Sequence, residues 1–372
     1  LMLFCLEVTM GIRLYSMDAT RVLAMILVII VHTRYYFFAP DVHSSLFAML
    51  AVVGTVGVPL FVILTGYLMF DRNYEDNTYL QKYIMRNLLP LITAYEFWNI
   101  TWNILRYTHV VENPQKWSTI IKAALFMGDT LSALWYLPMT IALYLGMPIL
   151  SIAVHKITLS GYQKLLFIAL ILSGTIIPSF IPLFSLFGHT PSIHSVLKMN
   201  IFGASVWGES VWMIYLLSGY AIYKGILKFI KTSVLSVLGI ILPIGIMYGI
   251  EYSGHHVQHY DFVLVVLLSI STFELLTRGE QLLQSNSVLC ALITSISKIS
   301  FGVYMLHIFV GGAIFQLLKA TGLDIPIGKS FSGLLSIIYY FIFIASIVIT
   351  SQIIMLILRK NKLIRRYVLL MK

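Results

Sequence analysis

The chain has 372 residues, of which 59% are hydrophobic and only 11% are charged, and its formal net charge at pH 7 is +10. A soluble domain averages about 25% charged residues, so this composition excludes an ordinary soluble protein and predicts a membrane protein. The length would accommodate two soluble domains, but every polar stretch is only as long as a loop.

Apolar stretches long enough to cross a membrane recur along the whole chain. A transmembrane helix needs about 20 predominantly apolar residues, and the sequence predicts an all-α polytopic membrane protein with about ten such helices. Segment 1–14 is a lead-in, 15–358 the transmembrane domain and 359–372 a basic cytoplasmic tail. A short interfacial helix is expected at 287–297. The predicted spans are 19–39, 46–70, 87–105, 131–154, 165–186, 202–223, 232–250, 261–277, 300–318 and 331–358.

The distribution of Lys and Arg predicts how the helices are oriented. These residues concentrate in one set of alternate loops and in the tail at 359–372, and loops rich in Lys and Arg are normally cytoplasmic. Both ends of the chain should therefore be cytoplasmic, as in a multi-pass protein of the cytoplasmic membrane. This bias explains the positive charge without a nucleic-acid partner, and the tail also suits contact with anionic membrane lipids.

The first span carries polar residues that an apolar helix would normally lack. Arg21 and His32 are 11 residues apart, which places both on one helix face about 16 Å apart along the axis. Asp18 is spaced to pair with Arg21 at the membrane boundary. In a purely structural interpretation, Arg21 reaches toward the interface and His32 bonds to a neighbouring helix. A functional interpretation is a long ligand with anionic phosphates at one end and a reactive group at the other, which is the shape of acyl-CoA.

Four motifs in order resemble the membrane acyltransferase-3 family over roughly Tyr15 to Leu358. The first is the Asp, Arg and His set in the first span. The second resembles the end of the family's second span, the third its Trp-Phe-Leu span with a late proline, and the fourth its Ile-Ser-x-x-x-Tyr-Leu-x-His element. The motifs are Asp18, Arg21 and His32; "VPLFVILTGYLMF", Val58–Phe70; "LWYLPMTIALYLGMPIL", Leu134–Leu150; and "ISKISFGVYMLHIF", Ile296–Phe309.

The resemblance implies an O-acyltransferase that uses cytoplasmic acyl-CoA, with acetyl-CoA as the expected donor. Arg21, supported by Asp18, would bind the CoA phosphates. The family's paired arginines after the second span correspond here to Tyr83 and Arg86, with Lys82 as the substitute cation. Donor-binding residues are therefore expected to be Arg21, Asp18, Lys82 and Arg86.

Two intramembrane histidines are the expected catalytic residues. His32 would act as general base on the acceptor hydroxyl or carry the acyl group transiently, and the sequence does not separate these chemistries. His307, in the fourth motif, should lie at a depth similar to that of His32, with Tyr304 one turn earlier to orient it. A histidine suits this role because its ordinary pKa is near 6.5.

Aromatic and acidic residues at the outer ends of two spans are the expected acceptor-binding residues. Trp135 and Tyr136 open the fourth span, and Glu209 opens the sixth. Aromatic residues at such positions usually anchor a helix at the interface, but they also stack on sugars. The expected acceptor is a hydroxyl of an envelope polysaccharide or a lipid-linked sugar. A homodimer stays an open alternative to a single chain.

Two other classes of protein remain as alternatives. A secondary transporter or flippase for a sugar or small metabolite would use intramembrane His and Arg as proton-relay or substrate groups, and a non-catalytic scaffold would bind no ligand. No metal is expected, because His255 and His259 form only a short external pair without further ligands. Cys5 and Cys290 are far apart and predict no disulfide.

Overall fold

The computed structural model describes residues 13–37, 45–107, 134–156, 211–255, 260–321 and 334–370, with short pieces between them. Those pieces are 118, 121–122, 160–163, 165–166, 200–201 and 204–205. The described chain is helical apart from one two-residue antiparallel pair, Asn200–Ile201 with Ala204–Ser205. This confirms the predicted all-helical class.

In the residues that the structure describes, thirteen α-helices of five or more residues are numbered in chain order. Single π-helical turns cover Ile84–Leu88, Val237–Ile241 and Ile364–Val368, and a 3₁₀ turn covers Ile226–Phe229. The helices are α1 Tyr15–Phe37, α2 Ser45–Gly54, α3 Gly57–Met69, α4 Asn77–Tyr83, α5 Leu89–Tyr107, α6 Tyr136–Lys156, α7 Val211–Tyr223, α8 Thr232–Ser236, α9 Leu242–Tyr252, α10 Val263–Arg278, α11 Glu280–Gln284, α12 Ser287–Ala320 and α13 Leu334–Leu358.

Six helical segments in the described chain are long and apolar enough to cross a membrane. They match the predicted first, second, fourth, seventh, ninth and tenth spans. The helices α7 and α10, at two further predicted spans, have 13 and 16 residues, and most of the predicted span 165–186 lies outside the described residues. The structure thus supports a membrane protein, and the total of about ten spans stays a prediction.

The expected interfacial helix at 287–297 is wrong as a separate element. Residues 287–320 form one continuous helix of 34 residues, α12. Its start is set by Asn286, whose side chain accepts a hydrogen bond from the Leu289 N–H at 3.0 Å. No proline lies between Ser287 and Ala320, so the hydrogen-bonded ladder runs on without interruption.

The helix α1 lies at the centre of the bundle and contacts α2, α3, α10, α11, α12 and α13. Its first turn is fixed from a distance, because the Glu280 carboxylate accepts hydrogen bonds from the Tyr15 and Ser16 N–H groups at 3.0 and 2.7 Å. A carboxylate suits a helix N-terminus, where N–H groups lack intrahelical partners. The helices α2 and α3 can approach α1 closely because of Gly54 and Gly57, where an added Cβ atom would press on valines of α1.

A second tight crossing joins α3 to α7. A Cβ atom at Gly66 would overlap the Leu216 carbonyl group, and one at Gly219 would overlap the Ile63 carbonyl oxygen. Paired glycines let helix backbones touch, which is a common way to pack helices in membranes. This crossing and the central α1 fix the framework in which the polar residues of the bundle are held.

Candidate active site

The Asp18 carboxylate is the centre of a buried polar cluster at the start of α1. It is fully buried and accepts hydrogen bonds from Arg13 Nε at 2.7 Å, Arg21 Nη1 at 2.8 Å and Ser297 Oγ at 2.7 Å. The predicted pairing of Asp18 with Arg21 is therefore present, and Ser297 ties it to α12. The three donors fix the carboxylate, and the carboxylate in turn holds Arg21 in place.

Arg21 lines a cavity of about 90 Å³ between α1, α5, α6 and α12. One wall is a stripe on α6 at four-residue spacing, formed by Tyr136, Thr140 and Tyr144. The facing wall is α12, from Ser297 to Tyr304. Those positions on α12 are seven residues apart, which corresponds to about 10 Å along the helix. The lining residues are Arg21, Phe61, Leu91, Tyr136, Leu137, Thr140, Tyr144, Ser297, Lys298, Ser300, Phe301, Tyr304, Leu369 and Leu370.

His32 and His307 face one another across the contact between α1 and α12. Their ring centroids are 5.3 Å apart, with 48° between the ring planes. His307 is buried, and its Nδ1 lies 2.6 Å from the Tyr304 carbonyl oxygen. A carbonyl only accepts, so Nδ1 carries the proton and Nε2 of the neutral ring presents its lone pair. Within the described residues, this Nε2 is buried without a hydrogen-bond partner.

Tyr304 connects the cavity to the two histidines. Its ring lies 5.6 Å from the His307 ring and 5.8 Å from the Tyr136 ring, measured between centroids. Both tyrosines line the cavity, whereas neither His32 nor His307 does. The cavity therefore begins at Arg21 and ends one aromatic ring away from the histidine pair.

The aromatic residues at the start of α6 occupy two different environments. Tyr136 is buried against Tyr304, so it belongs to the interior of the bundle and not to its edge. Trp135 is half-buried and packs on Trp212 and Tyr260, at centroid distances of 5.6 and 5.5 Å. This three-ring cluster adjoins Tyr136. The expected acceptor residue Glu209 lies outside the described residues.

The cations expected after the second span lie on the protein surface. Lys82 is in the last turn of α4, and Arg86 is in the π-helical turn that follows. Both side chains are exposed, and neither lines the cavity. Tyr83, at the position of the family's first arginine, is buried and donates a hydrogen bond to the Tyr144 carbonyl at 2.7 Å. Tyr144 is a cavity residue, so this turn is attached to the cavity wall.

No group of three or more His, Cys, Asp or Glu residues suited to a metal ion occurs within the part of the chain that the structure describes. Of the two external histidines His255 and His259, the second lies outside the described residues. Cys290 is a free, buried thiol. Within the described residues, buried charged groups also occur outside the Asp18 cluster and the histidine pair, including Arg34 near the end of α1 and Glu274 in α10.

Comparison with known protein families decides the class of this protein. The acyltransferase domain of the acyltransferase-3 family matches residues 14–356, which is nearly the whole chain. The chain belongs to the acyltransferase-3 family. Neither the curated proteins nor the solved structures gave a significant match. The family argues for a membrane acyltransferase and against the transporter and scaffold alternatives.

Several cavity residues of this acyltransferase were not singled out from the sequence. Lys298 is an exposed cation that lines the cavity, but in the sequence it was one loop charge among many. Its neighbour Ser297 lies within the Ile-Ser motif, which was the available signal. Leu369 and Leu370 line the same cavity although they belong to the expected basic tail. No sequence pattern indicated that contact, because it depends on how the chain folds back after α13.

Proposed function

We propose that this acyltransferase transfers a short acyl group, with acetyl as the expected one, from cytoplasmic acyl-CoA to a sugar hydroxyl on the outer side of the membrane. The observation that carries the proposal is the cavity that runs from Arg21 to Tyr304, next to the facing rings of His32 and His307. A cation at one end and a proton acceptor at the other suit the two ends of acyl-CoA.

The donor end is proposed to be the part around Arg21. Arg21 is held by Asp18, so its guanidinium is positioned before any ligand arrives, which lowers the ordering cost of binding. Lys298 at the cavity adds a second positive charge, and charge-assisted hydrogen bonds from such groups bind phosphates well. Lys82 and Arg86, on the surface turn attached through Tyr83, are proposed to contact the more distant phosphates.

The chemical step is proposed to occur at the histidine pair. One histidine nitrogen takes the proton of the acceptor hydroxyl as the hydroxyl oxygen bonds to the thioester carbonyl carbon. The carbon–sulfur bond then breaks, and the CoA sulfur leaves as a thiol after it receives a proton from the imidazolium. His307 suits the base, because the Tyr304 carbonyl holds its Nδ1–H and leaves the Nε2 lone pair available. His32 would assist it, or would carry the acyl group as a nucleophile.

The acceptor is proposed to be a hydroxyl of an envelope polysaccharide or a lipid-linked sugar that approaches along the aromatic residues. From the cluster around Trp135, ring contacts continue through Tyr136 and Tyr304 to His307. The apolar faces of sugars pack well on aromatic rings. This path reaches the histidines from the end of the site that lies opposite the donor cations. Such an arrangement suits a donor and an acceptor that arrive from different sides. Cytoplasmic positions for both chain ends belong to the same proposal.

The decisive experiment is a transfer assay with purified protein in proteoliposomes. Isotope-labelled acetyl-CoA is supplied on one side, with envelope glycan extract on the other. The proposal expects label on the glycan in an ester that mild base releases, and free CoA in equal amount. Glycan movement without ester formation would favour a transporter. No response to acetyl-CoA, with the protein folded, would contradict the proposal.

A further inference from the structure

The segment after α13 folds back into the bundle. The helix α13 ends at Leu358, and a π-helical turn follows at Ile364–Val368. Its exposed side carries basic residues, but Val368, Leu369 and Leu370 are buried. The Val368 carbonyl accepts a hydrogen bond from Trp98 Nε1 of α5 at 3.1 Å. The last described residues are therefore bonded to a helix of the membrane domain.

This attachment brings the segment close to the depth of the histidine pair. Trp98 lies one helical turn from Trp102 on α5, which is about 6 Å. The Trp102 ring contacts the Phe309 ring at a centroid distance of 5.8 Å. Phe309 follows His307 by only two residues in α12. The segment that ends at Leu370 is thus within one or two turns of the level at which transfer is proposed to occur.

Leu369 and Leu370 form part of the cavity wall. Both line the cavity with Arg21 and Tyr304, and they are 1% and 7% exposed. Leu370 has a φ of 53°, the sole positive value among non-glycine residues in the described chain. A bulky side chain avoids this left-handed conformation, so the surrounding packing must impose it. Strained residues of this kind occur most often at functional sites.

We propose that Leu369 and Leu370 determine the length of the acyl group that the enzyme accepts. The inference rests on the proposed function, in which acyl-CoA occupies this cavity. Because both leucines are buried in the wall of the cavity that reaches from Arg21 to Tyr304, their side chains would limit how far an acyl chain can extend beside Tyr304.

The test compares acetyl-, butyryl- and hexanoyl-CoA with wild-type protein and with Leu369→Ala, Leu370→Ala and the double variant. One methylene more or less in an apolar pocket changes kcat/KM by about 10–200-fold. We therefore expect the butyryl-to-acetyl ratio of kcat/KM to rise at least about tenfold in the double variant. Leu363→Ala is the matched control, because Leu363 belongs to the same segment but is 69% exposed. Its ratio should equal that of the wild type.

A cavity-filling variant guards against misfolding of the alanine variants. Leu369→Phe should lower use of butyryl-CoA more than use of acetyl-CoA, which is the opposite change in ratio. Thermal stabilisation by each acyl-CoA gives a second readout without turnover. Unchanged ratios in both kinds of variant would overturn the inference while acetyl transfer by the wild type still stood. A wild type that neither binds nor uses any acyl-CoA would instead overturn the proposed function.

Discussion

The two ends of α1 carry buried polar side chains that are held in opposite ways. At the start, Arg21 is bound by a carboxylate that two arginines and Ser297 surround. Eleven residues later, His32 meets another ring, His307, which has a single bond to a backbone carbonyl. One end is a charge-compensated cluster, and the other brings together two packed rings with a nitrogen lone pair left available, near the buried Arg34.

This difference suggests a division of labour along one helix. A buried cation needs a nearby counter-charge, and in the proposed donor site that counter-charge would also hold the cation in position for an incoming phosphate. A general base must have an available lone pair to accept a proton, and Nε2 of His307 has one. The start of α1 is therefore suited to binding, and the His32 end is suited to chemistry.

Removal of a histidine should produce the largest effect. His307→Ala or His32→Ala removes a proposed proton acceptor, and such groups contribute about 10²–10⁴-fold to rate. We expect turnover to fall by that factor, with little change in the affinity for acetyl-CoA. Steady-state kinetics and calorimetry on the same sample measure both. His255→Ala, an exposed histidine, is the control, and equal losses in affinity and turnover would place His307 in binding.

The second-largest expected effect is a loss of stability when the negative charge of Asp18 is removed. Asp18→Asn leaves two guanidinium groups without their shared counter-charge, and breaking a buried pair costs about 3–5 kcal/mol. Thermal unfolding in detergent should show this loss. Asp71→Asn is the matched control, because Asp71 also binds two basic groups, Lys224 and His155, but at the surface. Its loss should stay below about 1 kcal/mol, and equal losses would contradict the burial argument.

The cations of the proposed donor site should contribute differently to acetyl-CoA binding, depending on whether they are buried or exposed. Arg21→Ala should weaken acetyl-CoA binding by about 1.5–3 kcal/mol, the value of hydrogen bonds to charged groups. The exposed Lys298 should contribute less, since solvent screens it. Calorimetry at two salt concentrations separates the two, and only the Lys298→Ala effect should shrink strongly with salt. Lys228→Ala, an exposed cation on the turn after α7, is the control. A larger loss from Lys228→Ala than from Arg21→Ala would contradict the proposed donor site.

The smallest expected effect concerns the attachment of the α1 start to Glu280. Burial opposes ionisation of Glu280, but hydrogen bonds from Ser16 and Tyr15 outweigh it and hold the pKa of that carboxyl below its ordinary value. A lowered pKa in the folded state stabilises the protein above the unfolded value, and this contribution is lost as the pH falls through the folded pKa.

Glu280→Gln should therefore unfold at a lower temperature than the wild type at pH 7. The gap should narrow below about pH 4.3, the ordinary pKa of glutamate. Glu75→Gln, an exposed carboxyl in a surface pair with Lys156, should show no comparable gap. A gap for Glu280→Gln that stays constant with pH would mean that the carboxylate charge does not fix α1.

The sequence was sufficient where the argument depended on one helix. Arg21 and His32 followed from periodicity within a single span, and the all-helical membrane class followed from composition. The pairing of Asp18 with Arg21 required only a three-residue spacing. Such local rules hold because the geometry of a helix is nearly independent of its surroundings.

Contacts between distant segments were less accessible from the sequence. The inward position of Tyr136 depends on how α6 sits against α12, and the presence of Lys298 at the cavity depends on the unbroken length of that helix. The contribution of Leu369 and Leu370 required the chain to fold back past a run of basic residues. The basic residues of this segment predicted a solvated tail, but the segment folds back so that Val368, Leu369 and Leu370 are buried.

The most direct test of the central claim is a structure of the protein with a non-hydrolysable acetyl-CoA analogue, in which a methylene group replaces the thioester sulfur. The account expects the phosphates near Arg21 and Lys298, and the acetyl carbonyl beside Tyr304, within reach of the two histidines. An analogue whose acetyl end points away from α12, or whose phosphates lie nearer to the histidines than to Arg21, would contradict it.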